Sequence, residues 1–299
     1  MDNHANLVKV YLFVCEAYEK ELQYFVQRFS NNHQPRFTDQ EVMAIMLYCQ
    51  GYERRLTIKA VYDFASRWLR SWFPLLPSYT AFVMRVNRLS EAFRRLSAIL
   101  LDDYAPDSRS ESLCMVDSMP VITCSAKRNG KVAREVADKG YCSTKSLYYY
   151  GVKLHLLTSR VKGSLPHPEA LILTAASESD LAVFRDNWST ISNKVVFADK
   201  AYLDSDMQNS MWQNHSELLA PVKHPRGVPE VIKQRSRAAD DLFSRTVSSI
   251  RQPIESLFSW LLEKADIQTA SKVRSTKGLF VHIFSKITAV FCAKLIFNP

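Results

Sequence analysis

The chain reads as a mixed α/β protein, a helical N-terminal stretch followed by a sheet whose later strands alternate with helices. Three observations predict this. Apolar residues recur at helical spacing through about the first 105 residues. After a polar, proline-containing break the texture changes to short apolar runs, three of them in succession. The runs that follow are separated by helix-compatible segments, which describes a mixed sheet with parallel crossovers at its later edge.

In the N-terminal stretch, Leu7, Val8, Val10, Tyr11, Val14 and Tyr18 mark a first helix. Thr38-x-x-Glu41 is a capping-box pattern, and an apolar run through Met43, Ile45, Met46, Leu47 and Tyr48 follows it to Gly51, the expected helix end. VYDFASRWLRSWF has the amphipathic spacing of a further helix. Pro74 and Pro77 then interrupt the chain, and SYTAFVMRVNRLSEAFRRL predicts one more helix, through Leu100. It carries Arg85, Arg88, Arg94 and Arg95 beside an apolar face. A turn followed by a basic helix is how helix-turn-helix proteins present a recognition helix, and equally how a helical bundle clothes its outer face. The first 105 residues hold 13 Lys/Arg against 11 Asp/Glu, so this block is close to neutral.

Asp102 to Glu111 makes a natural linker, dividing the chain into a helical domain over 1–105 and an α/β domain with C-terminal helices over 112–299. The expected strands are LCMVDSMPVITC, YYYGVKLHLLTS, EALILTAAS, KVVFAD and ELLAPVK. Helical stretches are expected over Glu178 to Ser189 and Ser205 to Gln213, and from about Ala238 to the end.

A net charge of +9 with a pI near 9.2 favours a polyanionic partner, nucleic acid first and an acidic membrane surface second. The cysteines at 15, 49, 114, 124, 142 and 292 form no C-x-x-C pair, so free thiols are expected rather than a disulfide framework or a zinc site. The first residues lack a signal-peptide pattern and no run of 18 apolar residues is present. The expectation is a soluble, cytoplasmic protein with no membrane span.

Two aspartates stand out. Asp117 interrupts the apolar run Leu113–Val116, and Asp199 ends Val195–Ala198. Each places a carboxylate where an unpaired charge is costly. One such residue is ordinarily a cap; two at the same sheet suggest ligands for a hard cation such as Mg²⁺ or Mn²⁺. Glu255 lies on a helical segment whose Ile250, Ile254, Leu257, Phe258 and Leu261 share one face, and Arg251 is its i−4 neighbour. Alone, that pair reads as a surface ion pair. Pro253 predicts a kink or restart in the helix.

Taken together, VDSMPV, FADKAY and RQPIESLFSWL resemble the catalytic signature of the insertion-sequence DDE transposases, whose catalytic domain is similar to ribonuclease H. Eighty-one residues separate Asp117 from Asp199, and fifty-five separate Asp199 from Glu255. The stretch Gly140 to Ser159 resembles the family's second-strand region. The likeness covers roughly residues 112–290. It implies a ribonuclease H-like mixed sheet with flanking helices, and the all-α stretch over 1–105, read from its own apolar spacing, is then expected to be the DNA-end-binding domain. It also implies two Mg²⁺ or Mn²⁺ ions held by Asp117, Asp199 and Glu255. The pattern Y-x2-R-x3-E-x6-K of related groups is kept at Arg251 and Glu255, but Ser248 holds the tyrosine position and Leu262 the lysine position. Lys264 is the nearest lysine.

The resemblance further implies double-stranded DNA as partner, both element ends and target, with action by a homo-oligomer on paired ends in the bacterial nucleoid. Phosphate contacts are expected from Arg85 and Arg88, and from Lys127, Arg128, Lys131 and Arg134. A second group comprises Lys223, Arg226, Lys233, Arg235 and Arg237, and a third Lys272, Arg274 and Lys277. His155, on the second expected strand, reads as a core or surface histidine before it reads as a site residue. The alternatives are a ribonuclease H-like nuclease without strand transfer, a DNA-binding regulator needing no metal, and a tyrosine recombinase. For the last, Tyr148 to Tyr150 lack an accompanying Arg/His set.

Overall fold

A computed structural model describes residues 3–26, 35–103, 112–127, 129–143, 145–222 and 230–296. Its internal contacts fall into two compact units, one over 1–104, 131–135 and 261–299, the other over 105–130 and 136–260.

The second unit is built on a six-stranded mixed sheet. Its strands are β1 (Leu113–Ser125), β2 (Asp138–Cys142), β3 (Leu147–Ser159), β4 (His167–Ala175), β5 (Val195–Phe197) and β6 (Glu217–Leu219). β3 is the hub. One edge pairs antiparallel with β1; the other carries β2 along residues 147–151 and β4 along residues 152–159. Beyond β1 the sheet turns parallel, with β5 and then β6. Helices α6 (Asp180–Trp188) and α7 (Ser205–Gln213) make the crossovers around β5. Phe184, Trp188, Met207 and Met211 from these helices bury against Cys114, Val116, Leu157, Val196 and Leu218 of the sheet. At Gly151 the β1 and β3 backbones pass so closely that a Cβ would lie 2.0 Å from the Val121 carbonyl oxygen. Only glycine fits there.

The mixed sheet and its flanking helices match the predicted fold class. β2 was not anticipated: DKGYC has no apolar run, and it pairs with β3 where the Tyr141 and Tyr148 rings, tilted by 52°, meet across the strands at 4.9 Å.

In the helical unit are α1 (Asn3–Lys20), α2 (Asp39–Gly51), α3 (Ile58–Trp68), α4 (Tyr79–Arg88), α5 (Ser90–Asp103) and α9 (Thr276–Leu295). Residues Glu230–Ala265 form α8, whose last turn counts with this unit and the rest with the sheet unit. The capping box is present, with Glu41 N donating to Thr38 Oγ1 at 3.2 Å and Thr38 N to Glu41 Oε2 at 2.5 Å. Helix α2 is buried along nearly its whole length, packed by α1 and α9.

Several expectations change. The helix predicted through Leu100 is two helices, because Leu89, fully buried, takes ψ 12 and breaks the run before Ser90. Gly51 is the last residue of α2 rather than its cap. Its requirement comes from packing, since a Cβ there would stand 2.6 Å from the Ala289 carbonyl of α9. Pro253 lies inside an unbroken helical run over Glu230–Ala265, so there is no restart. The C-terminal region is not continuously helical: α8 ends at Ala265 and α9 begins at Thr276. α9 has the length and mean hydropathy, 1.5, of a membrane span, which the sequence reading did not anticipate. Yet 67% of that window is buried, and its neighbours are α2, α4 and α5. It is a core helix of the unit, which therefore joins the two ends of the chain. The linker expected over 102–111 falls mostly outside the described residues.

All six cysteines are free, as expected.

Candidate active site

Asp117 lies in the middle of β1, opposite Leu156 of β3. On its other side β5 runs parallel, paired from Leu113↔Val195 to Met115↔Phe197. Continued two residues past Phe197, the last residue of β5, that register would bring Asp199 level with Asp117, and Asp117 feels the negative charge of Asp199. Asp199 follows the end of β5 by two residues. With φ −79 and ψ 167 it caps the 3-10 turn Lys200–Tyr202, its Oδ1 accepting from Lys200 N at 2.6 Å, and it is solvent-exposed. An aspartate opening a loop at the carboxyl end of a parallel strand is where open α/β sheets present ligands.

The Asp117 side chain is only 22% exposed. Burial pushes its carboxyl up from 3.8 to about 6. The Arg251 guanidinium and the Ser118 amide pull the other way, while the negative charges of Asp199 and Asp180 add to the rise. Arg251 Nη1 donates to Asp117 Oδ2 at 2.6 Å, and Arg251 Nη2 donates to Glu255 Oε1 at 2.5 Å. One guanidinium thus joins the first aspartate to the glutamate. The fork geometry suits this double role. Arg251 is 16% exposed and Glu255 is 55% exposed at the same helix face edge, with Ile254, Leu257, Phe258 and Leu261 buried beside it.

A family profile described as a transposase DDE domain matches residues 107–274, more than half of the chain. The chain belongs to this family. The matched span contains Asp117, Asp199, Arg251 and Glu255. No curated protein and no solved structure matches significantly.

For a DDE domain the fit of a divalent metal is the next question. The donor chemistry suits it, since carboxylate oxygens are what hard cations take. Asp117 is incompletely compensated, as its raised pKa records. Among the described residues, however, no three His, Cys, Asp or Glu side chains are grouped so as to hold one ion. The Arg251 guanidinium is the cation between Asp117 and Glu255. The carboxylates thus suit a divalent cation by their chemistry, while their placement, with Arg251 bonded to Asp117 and Glu255, does not group them around one.

Asp180, at the first turn of α6, was missed by the sequence reading. Its Oδ1 accepts from Ser118 Oγ at 3.0 Å and from Lys153 Nζ at 3.2 Å, so it ties the residue after Asp117 to β3. The only sequence signal was an acidic helix start, SESD, which is indistinguishable from ordinary capping. Tyr202, in the turn after Asp199, is 1% exposed with an unpartnered hydroxyl. Burial first, then the charges of Asp180, Asp117 and Asp199, push its phenol well above the ordinary range. His155 is fully buried, with Nε2 2.9 Å from Thr174 Oγ1 and Nδ1 3.8 Å from Asp180 Oδ1. Burial drives its pKa down to about 4 against the pull of Asp180, so it is a neutral core residue.

The predicted DNA contacts are scattered. Arg85 Nη2 lies 3.0 Å from Asp39 Oδ1, and Arg88 Nη2 2.7 Å from both Asp39 oxygens. Arg94 pairs with Glu91, and Arg95 with Glu21. All four arginines of this segment have carboxylate partners inside the helical unit, which accounts for their placement without DNA. Lys127, Lys131, Arg134, Arg237, Lys272, Arg274 and Lys277 are exposed. Arg128, Lys223 and Arg226 lie outside the described residues, as do the side chains of Lys233 and Arg235. Lys264 pairs with its neighbour Glu263 at 2.9 Å.

Proposed function

We propose that this DDE transposase cleaves DNA strands and joins the freed ends to new DNA at a two-metal site formed by Asp117, Asp199 and Glu255. The observation that carries the reading is Arg251 linking Asp117 to Glu255, with Asp117 also within reach of the charge of Asp199 just beyond the neighbouring parallel strand. Asp117, between the other two, is suited to bridging; Asp199 would hold one Mg²⁺ or Mn²⁺ and Glu255 the other. Bound there, the ions would activate the attacking water or 3′-hydroxyl and neutralise the leaving oxygen.

The protein's own part is to supply the site. β1 fixes Asp117 in a largely buried strand. Asp199 is anchored by its turn, and Glu255 is free to move on the exposed edge of α8. Arg251 balances the acids until a stronger cation replaces it, and then remains bonded to Glu255, orienting it. Phosphate contacts are proposed from Lys127, Lys131, Lys272 and Arg274, exposed cations on a basic chain, and from Arg128, Lys223 and Arg226. The DNA would be double-stranded, with two element ends brought together by more than one copy of the chain.

Purified protein incubated with labelled duplexes carrying the inverted repeats that flank its coding sequence tests this. The expected result is Mg²⁺-dependent nicking at the repeat end followed by joining to a second duplex, with both steps lost in Glu255→Gln. Nicking without joining would identify a nuclease instead. DNA binding without either, in wild type as in Glu255→Gln, would leave a regulator.

A further inference from the structure

The helical unit contains a cavity of about 440 Å³, and none of Asp117, Asp199 and Glu255 lines it. Its volume is in the range of small-ligand sites. Met46, Leu56, Ile58 and Val83 give it an apolar wall. Gln50 and Asn87 are among its lining residues, and their side-chain oxygens, Gln50 Oε1 and Asn87 Oδ1, are buried with no hydrogen-bond partner. Gln50 is 3% exposed. A buried polar atom without a partner is costly, and two at one cavity point to a ligand that satisfies them.

The lining also has features that draw anions. It includes the N-terminus of α9, a 20-residue helix whose Ser275 cap satisfies only the Gly278 amide, at 3.1 Å. Lys272 and Arg274 stand immediately before that terminus and line the cavity with Lys59 and Lys286. Arg274 Nη1 is fixed by the carbonyls of Ser271 and Val273, at 2.9 and 2.8 Å. Against these, Asp266 is the acid in the lining, and Lys59 is also paired with Asp63. Asn87 Oδ1 lies 3.4 Å from where a Cβ on Gly278 would sit, so the polar and the cationic groups meet at the first turn of α9.

We propose that this cavity binds a nucleoside monophosphate unit, its phosphate at the α9 terminus beside Lys272 and Arg274 and the base edge hydrogen-bonded by Gln50 and Asn87 against the apolar wall. An amide presents both a donor and an acceptor, which is what a base edge requires. The unit has two possible sources, a free nucleotide or a nucleotide within a DNA strand. The site is independent of the acidic one.

Equilibrium dialysis of the whole chain with each common deoxynucleoside monophosphate tests this, with the matching nucleosides and inorganic phosphate as partial probes. Saturable binding of at least one monophosphate is expected, with each partial probe weaker by about tenfold or more. The double variant Lys272→Glu/Arg274→Glu, on exposed positions, should weaken the monophosphate by about tenfold or more. Gln50→Leu should weaken the monophosphate and leave phosphate unchanged, and Asp117→Asn should change nothing. Displacement by a short single-stranded oligonucleotide assigns the site to DNA; failure to displace assigns it to the free nucleotide. The inference is overturned if no monophosphate saturates, or if binding survives the double charge reversal. Should Gln50→Leu fail to fold, the charge-reversal result decides. Loss of strand chemistry in Asp117→Asn with this binding intact would separate the two sites.

Discussion

Replacing Asp117 by Asn should make the metal-free protein more stable, although it removes the residue most central to the proposed chemistry. The carboxyl rises from 3.8 to about 6 on folding, even with Arg251 Nη1 2.6 Å away. A raised acid pKa means that the folded state holds its proton more tightly than the unfolded one. Below about pH 3.8 both states are protonated and nothing is gained or lost. Between 3.8 and about 6 the unfolded state ionises first, so stability falls with rising pH; above that the loss is complete. The full cost is about 3 kcal/mol, of which roughly half is already felt at pH 5. Asparagine carries no charge to bury, but its single oxygen can serve only one of the Ser118 amide, which bonds Asp117 Oδ1, and Arg251, which bonds Oδ2, so the gain falls short of the full cost. Urea denaturation without metal should therefore show Asp117→Asn more stable by up to about 3 kcal/mol at pH 8, and by less at pH 5. Saturating Mg²⁺ should narrow or reverse the order, since wild type gains about 2.7 kcal/mol at a hundredfold excess over Kd while the variant gains little. A difference between variant and wild type that does not change between pH 5 and 8 would refute the claim that Asp117 is buried at a cost.

Arg251→Ala deletes the nearest cation to Asp117. Metal-free protein should lose about 1–3 kcal/mol at pH 8, and Mg²⁺ should restore most of it, which thermal melts with and without Mg²⁺ would read. Equal losses in both conditions would mean that Arg251 and metal do not share a place. Tyr202→Phe removes a buried hydroxyl that has no partner. A gain of about 1 kcal/mol in denaturation is expected, and a loss would show that the hydroxyl is satisfied in solution. Gly151→Ala drives a methyl against the Val121 carbonyl and should cost more than about 3 kcal/mol, seen as insoluble or readily proteolysed protein. Wild-type solubility and melting would argue against the β1–β3 register.

What the sequence disclosed, and what it hid, follows from the range over which each interaction acts. Strands β1, β3, β4, β5 and β6 were legible because each is an apolar run, and α2 because Thr38 and Glu41 write their cap locally. β2 was not, because its residues are strand only when Tyr148 lies opposite Tyr141. The grouping of α9 with the N-terminal helices was hidden for the same reason: Gly51 meets Ala289, residues with no mutual sign in the chain. At the site, Asp117 and Asp199 were readable as charges where the strands should be apolar. Asp180 was not, since its partners Ser118 and Lys153 come from two other elements. Arg251 was read as Glu255's neighbour, and only the fold shows its second bond, to Asp117. That second bond explains why the acids can coexist at all. Asp117 feels Asp199 and Asp180, and the cations bonded among them are Arg251 on Asp117 and Lys153 on Asp180. Arg251 falls short of holding the Asp117 carboxyl at its ordinary value. Under the proposed function, that deficit at Asp117, within reach of the charge of Asp199, is where positive charge from outside the chain would be received.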